Sequence, residues 1–449
     1  MEKNLTEGSI FKNILIFSLP FLLSYFLQTL YGMADLFIAG QFNGADVISA
    51  VAIGSQVMHM LTVMIVGLAM GSTIMIGQAV GAKNSKQASK VVGNTIILFS
   101  VVSVLITIIL VILVKSIVIL ISVPVESVNE TINYLRICFL GIPFIVAYNV
   151  ISSIYRGMGD SKSPLYFVAV ACGINIVLDI LFMGLFDMKA SGAALATVIS
   201  QAVSVFVSLF ALFKSKNSIK VTKDDFKVDR NIIGNLLKIG LPVCCQDGFI
   251  QISFMIITVI ANKRGLEVAA AVGIVEKIIT FLFLIPSSMM STVSTIAAQN
   301  IGAKKLQRAE KTLYLGMTLA ASIGLFFAMI FQFIANPVVA AFTRDEKVIM
   351  LGVQYFKTYV FDCFFAGIHF CFSGYFVARG KSLISFIHNC ISIIFFRIPG
   401  AYIAAKYWLD SLTPMGLAAP AGSCVSALIC IIAFIFLHHS DKKLQKNCN

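Results

Sequence analysis

Twelve apolar stretches, at about 14–40, 47–76, 92–114, 133–155, 164–186, 190–213, 236–262, 268–298, 313–335, 355–378, 383–405 and 416–438, take up most of this 449-residue chain. Each is long enough to cross ~30 Å of hydrocarbon at ~1.5 Å per helical residue. Of the residues, 58% are hydrophobic and 12% are Asp, Glu, Lys or Arg, against roughly 45–50% and about 25% in soluble domains. A water-soluble globular protein is thereby excluded. No stretch alternates with period two, so the spans read as helices and not as strands of a barrel. The expected fold is all-α and integral to a membrane, with twelve transmembrane helices. Lys3 and Lys12 flank the first apolar run, but no small-residue cleavage site follows it, so the first span is expected to stay.

The formal charge of +13 would suggest nucleic acid in a soluble protein. Here the cations mark sidedness. With the N-terminus inside, 23 of the 34 Lys and Arg fall in inside segments: Lys3 and Lys12; Lys83, Lys86 and Lys90; Arg156 and Lys162; the run from Lys214 to Lys238; Lys304, Lys305, Arg308 and Lys311; Arg379 and Lys381; and Lys442, Lys443 and Lys446. Both termini are therefore expected in the cytoplasm of a multi-pass cell-membrane protein. No nucleic-acid partner is expected. Nine of the ten Cys lie in apolar segments without C-x-x-C or metal spacing, and read as small core hydrophobes.

An internal repeat sets the architecture. QAVGAKNSKQASK (78–90) matches QNIGAKKLQRAEK (299–311) at an offset of 221 with six identities. The same offset pairs SAVAI (49–53) with AAVGI (270–274). Offsets within three residues pair Leu19-Pro20 with Leu241-Pro242 and Gly192-Ala193-Ala194 with Gly416-Leu417-Ala418. The reading is an N-lobe at 1–213 with helices 1–6, a cytoplasmic linker at 214–231, and a C-lobe at 232–449 with helices 7–12. Six is even, so the two pseudo-symmetric lobes form a parallel repeat, an arrangement found in secondary transporters.

Ionisable residues inside spans are costly and are functional candidates by default. Asp35 lies fifteen residues after Pro20, and Asp179 fifteen after Pro164, on helices that both run outward. Both carboxylates are thus expected ~22 Å above the inner end. Asn175 is one turn from Asp179 on the same face, and Thr197 on the sixth span reaches ~18 Å. Four oxygen-bearing side chains on three helices converge at one depth. No Lys or Arg of the first half sits at that level; Arg136 and Arg156 lie at the ends. Two carboxylates without a fixed counter-cation must share a proton or a hard cation such as Na⁺. The second half has no acid at the repeat-equivalent positions; its in-span ionisable residues are Asp247, Glu276, Lys277, Asp362, His369 and Arg397.

Taken together, LPFLLSYFLQTLYGMADLFIAG, GQAVGAKN, YRGMGDSKSP, NIVLDILFMGL and GAALAT resemble the MATE (multidrug and toxic compound extrusion) transporters. The resemblance implies a V-shaped pair of six-helix lobes that exports organic cations against a Na⁺ or H⁺ gradient by alternating access. It also implies that Asp35, Asn175, Asp179 and Thr197 form the first-lobe cation site. Some members use a Glu in the seventh helix and an Asp in the tenth. Near those places this chain has Gln251 and Ile368-His369, with Asp247 and Asp362 a turn or more away. Gln251, Glu276, Asp362 and His369 are the candidates for the substrate cleft, although Lys277 also stands ready to neutralise Glu276 and a lone His on an apolar face is commonly a core residue.

No G-x-x-x-x-G-K-[ST] suggests ATP drive, and no cofactor is implied beyond the coupling ion. Gly157-Met158-Gly159 reads as turn chemistry before Pro164. The expectation is an ion-coupled multidrug efflux antiporter acting as a monomer on small organic cations. A lipid-linked oligosaccharide flippase of related fold is the alternative, and would line its cleft with Lys and Arg to hold pyrophosphate. An enzyme would need a nucleophile–base pair or a metal cluster, and neither pattern is present.

Overall fold

The computed structural model describes residues 4–214, 219 and 221–448. Lys3, Lys216 and Lys220, read above as inside cations, lie outside the described residues, as do the side chains of Lys442, Lys443 and Lys446. Twelve helical spans follow in order: α1 Ile10–Phe42, α2 Ala45–Gly81, α3 Ser85–Leu120, α4 (Val125–Leu140 and Ile142–Gly157, bent by 48°), α5 Lys162–Leu185, α6 Lys189–Lys214, α7 Arg230–Asn262, α8 Leu266–Gly302, α9 Leu306–Ala340, α10 Glu346–Ala378, α11 Ser382–Tyr407 and α12 Thr413–Cys448. Among the described residues there is no strand.

Local chemistry explains where these helices bend. The bend in α4 falls at Gly141, with Pro143 opening its second piece. In α8 regular helix stops at Leu282 and resumes at Leu284, where the ring of Pro286 denies its i−4 carbonyl a partner. Both α5 and α11 contain a π-helical turn, at Ile180–Leu185 and Ile393–Arg397.

On α3, Val101, Val104, Leu105, Ile108, Ile109 and Ile112 are all more than half exposed, at i, i+3, i+4 spacing. Such a stripe fits lipid and not water. The opposite faces pack into two cores. One includes Val51, Tyr134, Phe139, Tyr155 and Phe167; the other includes Val272, Tyr355, Phe356, Tyr359 and Ala401.

Contacts gather into two compact units. The first comprises Leu19–Cys244 with short pieces at 4–6 and 302–304, and the second Glu7–Ser18, Cys245–Ile301 and the chain from Lys305. In the first unit, a Cβ on Gly71 or Gly240 would strike the carbonyl of Leu236 or Leu68, so α2 and the start of α7 cross at backbone contact, the small-residue packing usual in membranes.

The repeat reaches into backbone conformation. Lys83 and Lys304, which follow α2 and α8, are both left-handed at φ 55° and 59°. Gly159 and Gly380, which follow α4 and α10, are at φ 86° and 68°. Each pair is separated by the offset of 221 seen in the sequence.

Candidate functional site

Asp35 projects from α1, Asn175 and Asp179 from α5, and Thr197 from α6. All four are buried, at 2%, 0%, 0% and 5% exposure. Asp35 has Asp179, Asn175 and Thr197 as its immediate polar neighbours, and Tyr31, one turn earlier on α1, adjoins Thr197. Asp179 is the last residue before the π-helical turn of α5. Such a turn adds a residue to the helical repeat and re-aims what flanks it, which is why π-turns gather at functional sites.

The cluster's polar atoms have only one another for partners. Asp35 Oδ1, both carboxylate oxygens of Asp179, both amide atoms of Asn175 and Thr197 Oγ1 are buried, with no hydrogen-bond partner among the described residues outside the cluster and Tyr31. Buried polar groups are nearly always paired, and an unmade bond there costs about 1–3 kcal/mol. Among the described residues neither carboxylate has a lysine or arginine in its electrostatic neighbourhood. Two like charges ~4 Å apart repel by roughly 4 kcal/mol at an effective dielectric of about 20. Carboxylate, amide and hydroxyl oxygens are ligands suited to hard cations. A cavity of about 140 Å³ opens onto Asp35, lined also by Gln28, Tyr31, His59, Thr197 and Gln201. This is below the ~300 Å³ at which small-molecule pockets begin, and it suits an ion with water better than a drug.

The MatE family profile matches residues 20–181 and again residues 242–403. The chain belongs to the MatE family. Its two matches differ by 222 in their starts, one residue from the 221 spacing of the internal repeat. The probable multidrug resistance protein YoeA of Bacillus subtilis is 27% identical over 94% of this chain and 93% of its own length. The multidrug export protein MepA of Staphylococcus aureus strain NCTC 8325 is 23% identical over 86% of each chain. In fold, the chain matches a MATE crystallised with MaL6 at a TM-score of 0.90, with 23% identity and 99% of both chains covered. An outward-facing multidrug resistance MATE transporter also matches at 0.90, with 24% identity and 98% of both chains covered. This is a multi-span membrane protein of a transporter family.

Three of the second-half candidates of this MatE chain lie around Arg397. Thr258 Oγ1 donates to Glu276 Oε2 at 3.3 Å. Asp362 is fully buried, and Arg397, 7% exposed, lies in the electrostatic reach of both acids. His369, further along α10, is within the electrostatic reach of Arg397 and packs ring to ring with Phe370 at 4.8 Å and with His388 at 5.8 Å. Gln251 is half-buried on α7. The nine cysteines whose side chains are described are free thiols, and no group of three His, Cys, Asp or Glu assembles among the described residues.

Several site residues escape a scan for charge. Tyr31 and Gln201 are neutral, yet they lie one turn from Asp35 and Thr197, and Gln201 Oε1 is another unpartnered buried oxygen. The i±4 rule applied to each acid would have found them. His388, spanned by Ser373 Oγ at 2.9 Å and Ser426 Oγ at 2.8 Å, is also passed over, hidden in the amphipathic start of α11.

Proposed function

We propose that this MatE chain is a secondary active efflux antiporter that exports small organic cations in exchange for Na⁺ or H⁺ by alternating access, with both termini on the cytoplasmic side and Asp35, Asn175, Asp179 and Thr197 binding the coupling ion. The observation that carries the reading is the buried pair of carboxylates with no resident cation. When the ion binds, it supplies the charge that the pair lacks. It drives transport only through different affinities in the outward- and inward-open states. A proton needs only the two carboxylates, whereas Na⁺ would use the oxygens of all four groups, and the two gradients tell them apart. The names of the relatives, multidrug resistance and multidrug export proteins, support the substrate class. The flippase reading, which needs Lys and Arg lining a cleft, loses ground because Arg397, one of the two in-span cations of the second half with Lys277, is buried against protein.

The test is efflux of a fluorescent organic cation from proteoliposomes under separate Na⁺ and pH gradients. Asp35→Asn and Asp179→Asn should each lower gradient-driven efflux at least tenfold while leaving the protein folded. Efflux at the parental rate in either variant would remove the proposed site.

A further inference from the structure

The repeat allows the same level to be inspected in the second half. At the offset of 221, Asn175 and Asp179 correspond to Phe396 and Gly400, and Asp35 to Ile256. The acids are gone, and between the counterparts of Asn175 and Asp179 stands Arg397. It closes the π-helical turn Ile393–Arg397 of α11, just as Asp179 opens the one in α5.

The surroundings of Arg397 are built for a fixed cation. Its Nη2 donates to Tyr359 Oη at 2.7 Å, and its guanidinium carbon lies 4.5 Å from the centre of the Phe254 ring, within cation–π range. Asp362, Glu276, Tyr355 and Tyr359 are its electrostatic neighbours. The other charged or titratable groups around the cluster are Lys277 beside Glu276 on α8, Cys363 and His369 on α10 and His388 on α11; α12 contributes the hydroxyl of Ser423. No direct ion pair joins Arg397 to either acid among the described residues. Arg397 Nε and Glu276 Oε1 are buried without hydrogen-bond partners, and the one polar group that approaches the Asp362 carboxylate among the described residues is the Ser423 hydroxyl, so the guanidinium acts on both acids through its field.

The charge count differs between the halves. The first-half cluster has two carboxylates and no cation. The second has two carboxylates, the buried Arg397, and Lys277 at the exposed edge of Glu276. We propose that Arg397 is a resident cation occupying a latent monovalent-cation site formed by Asp362, Glu276 and Tyr359, so that the chain exchanges its coupling ion through the first half alone. The number of coupling ions, though not the latent site itself, rests on the antiporter reading above. Removing the guanidinium leaves one buried carboxylate uncompensated. The effective penalty for that is several kcal/mol, enough to recruit a small hard cation from solution.

Binding of radioactive sodium to the purified full-length protein tests this. Arg397→Gln should bind about one Na⁺ per chain more than the parent. The added ion should vanish in Arg397→Gln/Asp362→Asn and persist in Arg397→Gln/Asp35→Asn, while Arg397→Lys keeps the parental count. The parent's own sodium, and its loss in Asp35→Asn, report on the first-half site, so failure there is distinguishable from failure here. If a proton takes the vacated place, Arg397→Gln gains no sodium but its melting temperature rises on acidification where the parent's does not. If Arg397→Gln is too unstable to count, its melting temperature should rise with sodium chloride or acid and not with choline chloride. A folded Arg397→Gln with neither gain, a gain that survives Asp362→Asn with Glu276→Gln, or an unstable variant indifferent to sodium and acid would overturn the proposal.

Discussion

Thr197 shows how far a single neutral oxygen can report on mechanism. A proton needs only Asp35 and Asp179, whereas a sodium ion uses every oxygen it can reach. Thr197→Val removes one of the proposed ligands while keeping the side-chain volume. Sodium-driven efflux should then need about tenfold more Na⁺ for half-maximal rate, a loss of about 1.4 kcal/mol, while pH-driven efflux is unchanged. An equal effect under both gradients would count against Thr197 as a ligand. The acids themselves were legible in the sequence, because a charge in an apolar span is rare and depth can be counted from a proline. Tyr31, Gln201 and His388 were not, because uncharged or weakly basic side chains are common in spans and only packing shows which of them meet another buried polar group. Arg397 stood out as a charge, but its place among Phe254, Tyr359 and Asp362 depends on helices far apart in sequence.

Among the elements, the twelve spans were readable from hydropathy, since any run that long must be helical in lipid. The breaks in α4, α8 and α11 were not, because a proline or glycine in a membrane helix bends it only where neighbours re-satisfy the freed backbone. The segment after α6 is the clearest difference. Read from composition it is a polar connection, yet its described part from Thr222 to Asp229 is docked on α3. Asp225 Oδ2 accepts from the Thr222 N–H and hydroxyl, both at 2.8 Å. Asn94 accepts from the Asp229 N–H at 2.8 Å and donates to the Lys227 carbonyl at 3.2 Å. Gly93 meets the Asp225 carbonyl so closely that a Cβ there would collide with it. Gly93→Val should therefore lift the segment, and protease should cut within 222–229 several-fold faster than in the parent. The same bonds from the Thr222 N–H and hydroxyl hold the Asp225 carboxyl below its ordinary pKa. Its stabilising contribution is accordingly present above the ordinary carboxylate range and is lost as pH falls through that range to the depressed value. Acidification should speed cutting in the parent and have less effect on Asp225→Asn. Cutting in Gly93→Val at the parental rate would show that the glycine contact does not hold the segment.

Across the whole molecule, the argument turns on parity. Each half contributes six spans, and an even number returns the chain to the side from which it started. Repeated loops must then lie on one side of the membrane, and the backbone agrees that they are true counterparts: Lys83 and Lys304 share the left-handed conformation at positions 221 apart. Both are exposed, and both stand in cation-rich loops that the positive-inside rule assigns to the cytoplasm. Leu409, 71% exposed between α11 and α12, is separated from the Lys304 loop by three spans, an odd number. A membrane-impermeant maleimide applied to oriented vesicles can read all three as single cysteines. Lys83→Cys and Lys304→Cys should label only in inverted vesicles, and Leu409→Cys only in right-side-out ones, each with at least tenfold preference. Labelling of Lys83→Cys and Lys304→Cys from opposite faces would make the halves antiparallel. The positional comparison that sets Arg397 against Asp179 would then fall as well, since depth counted from one face would no longer be shared between the two halves.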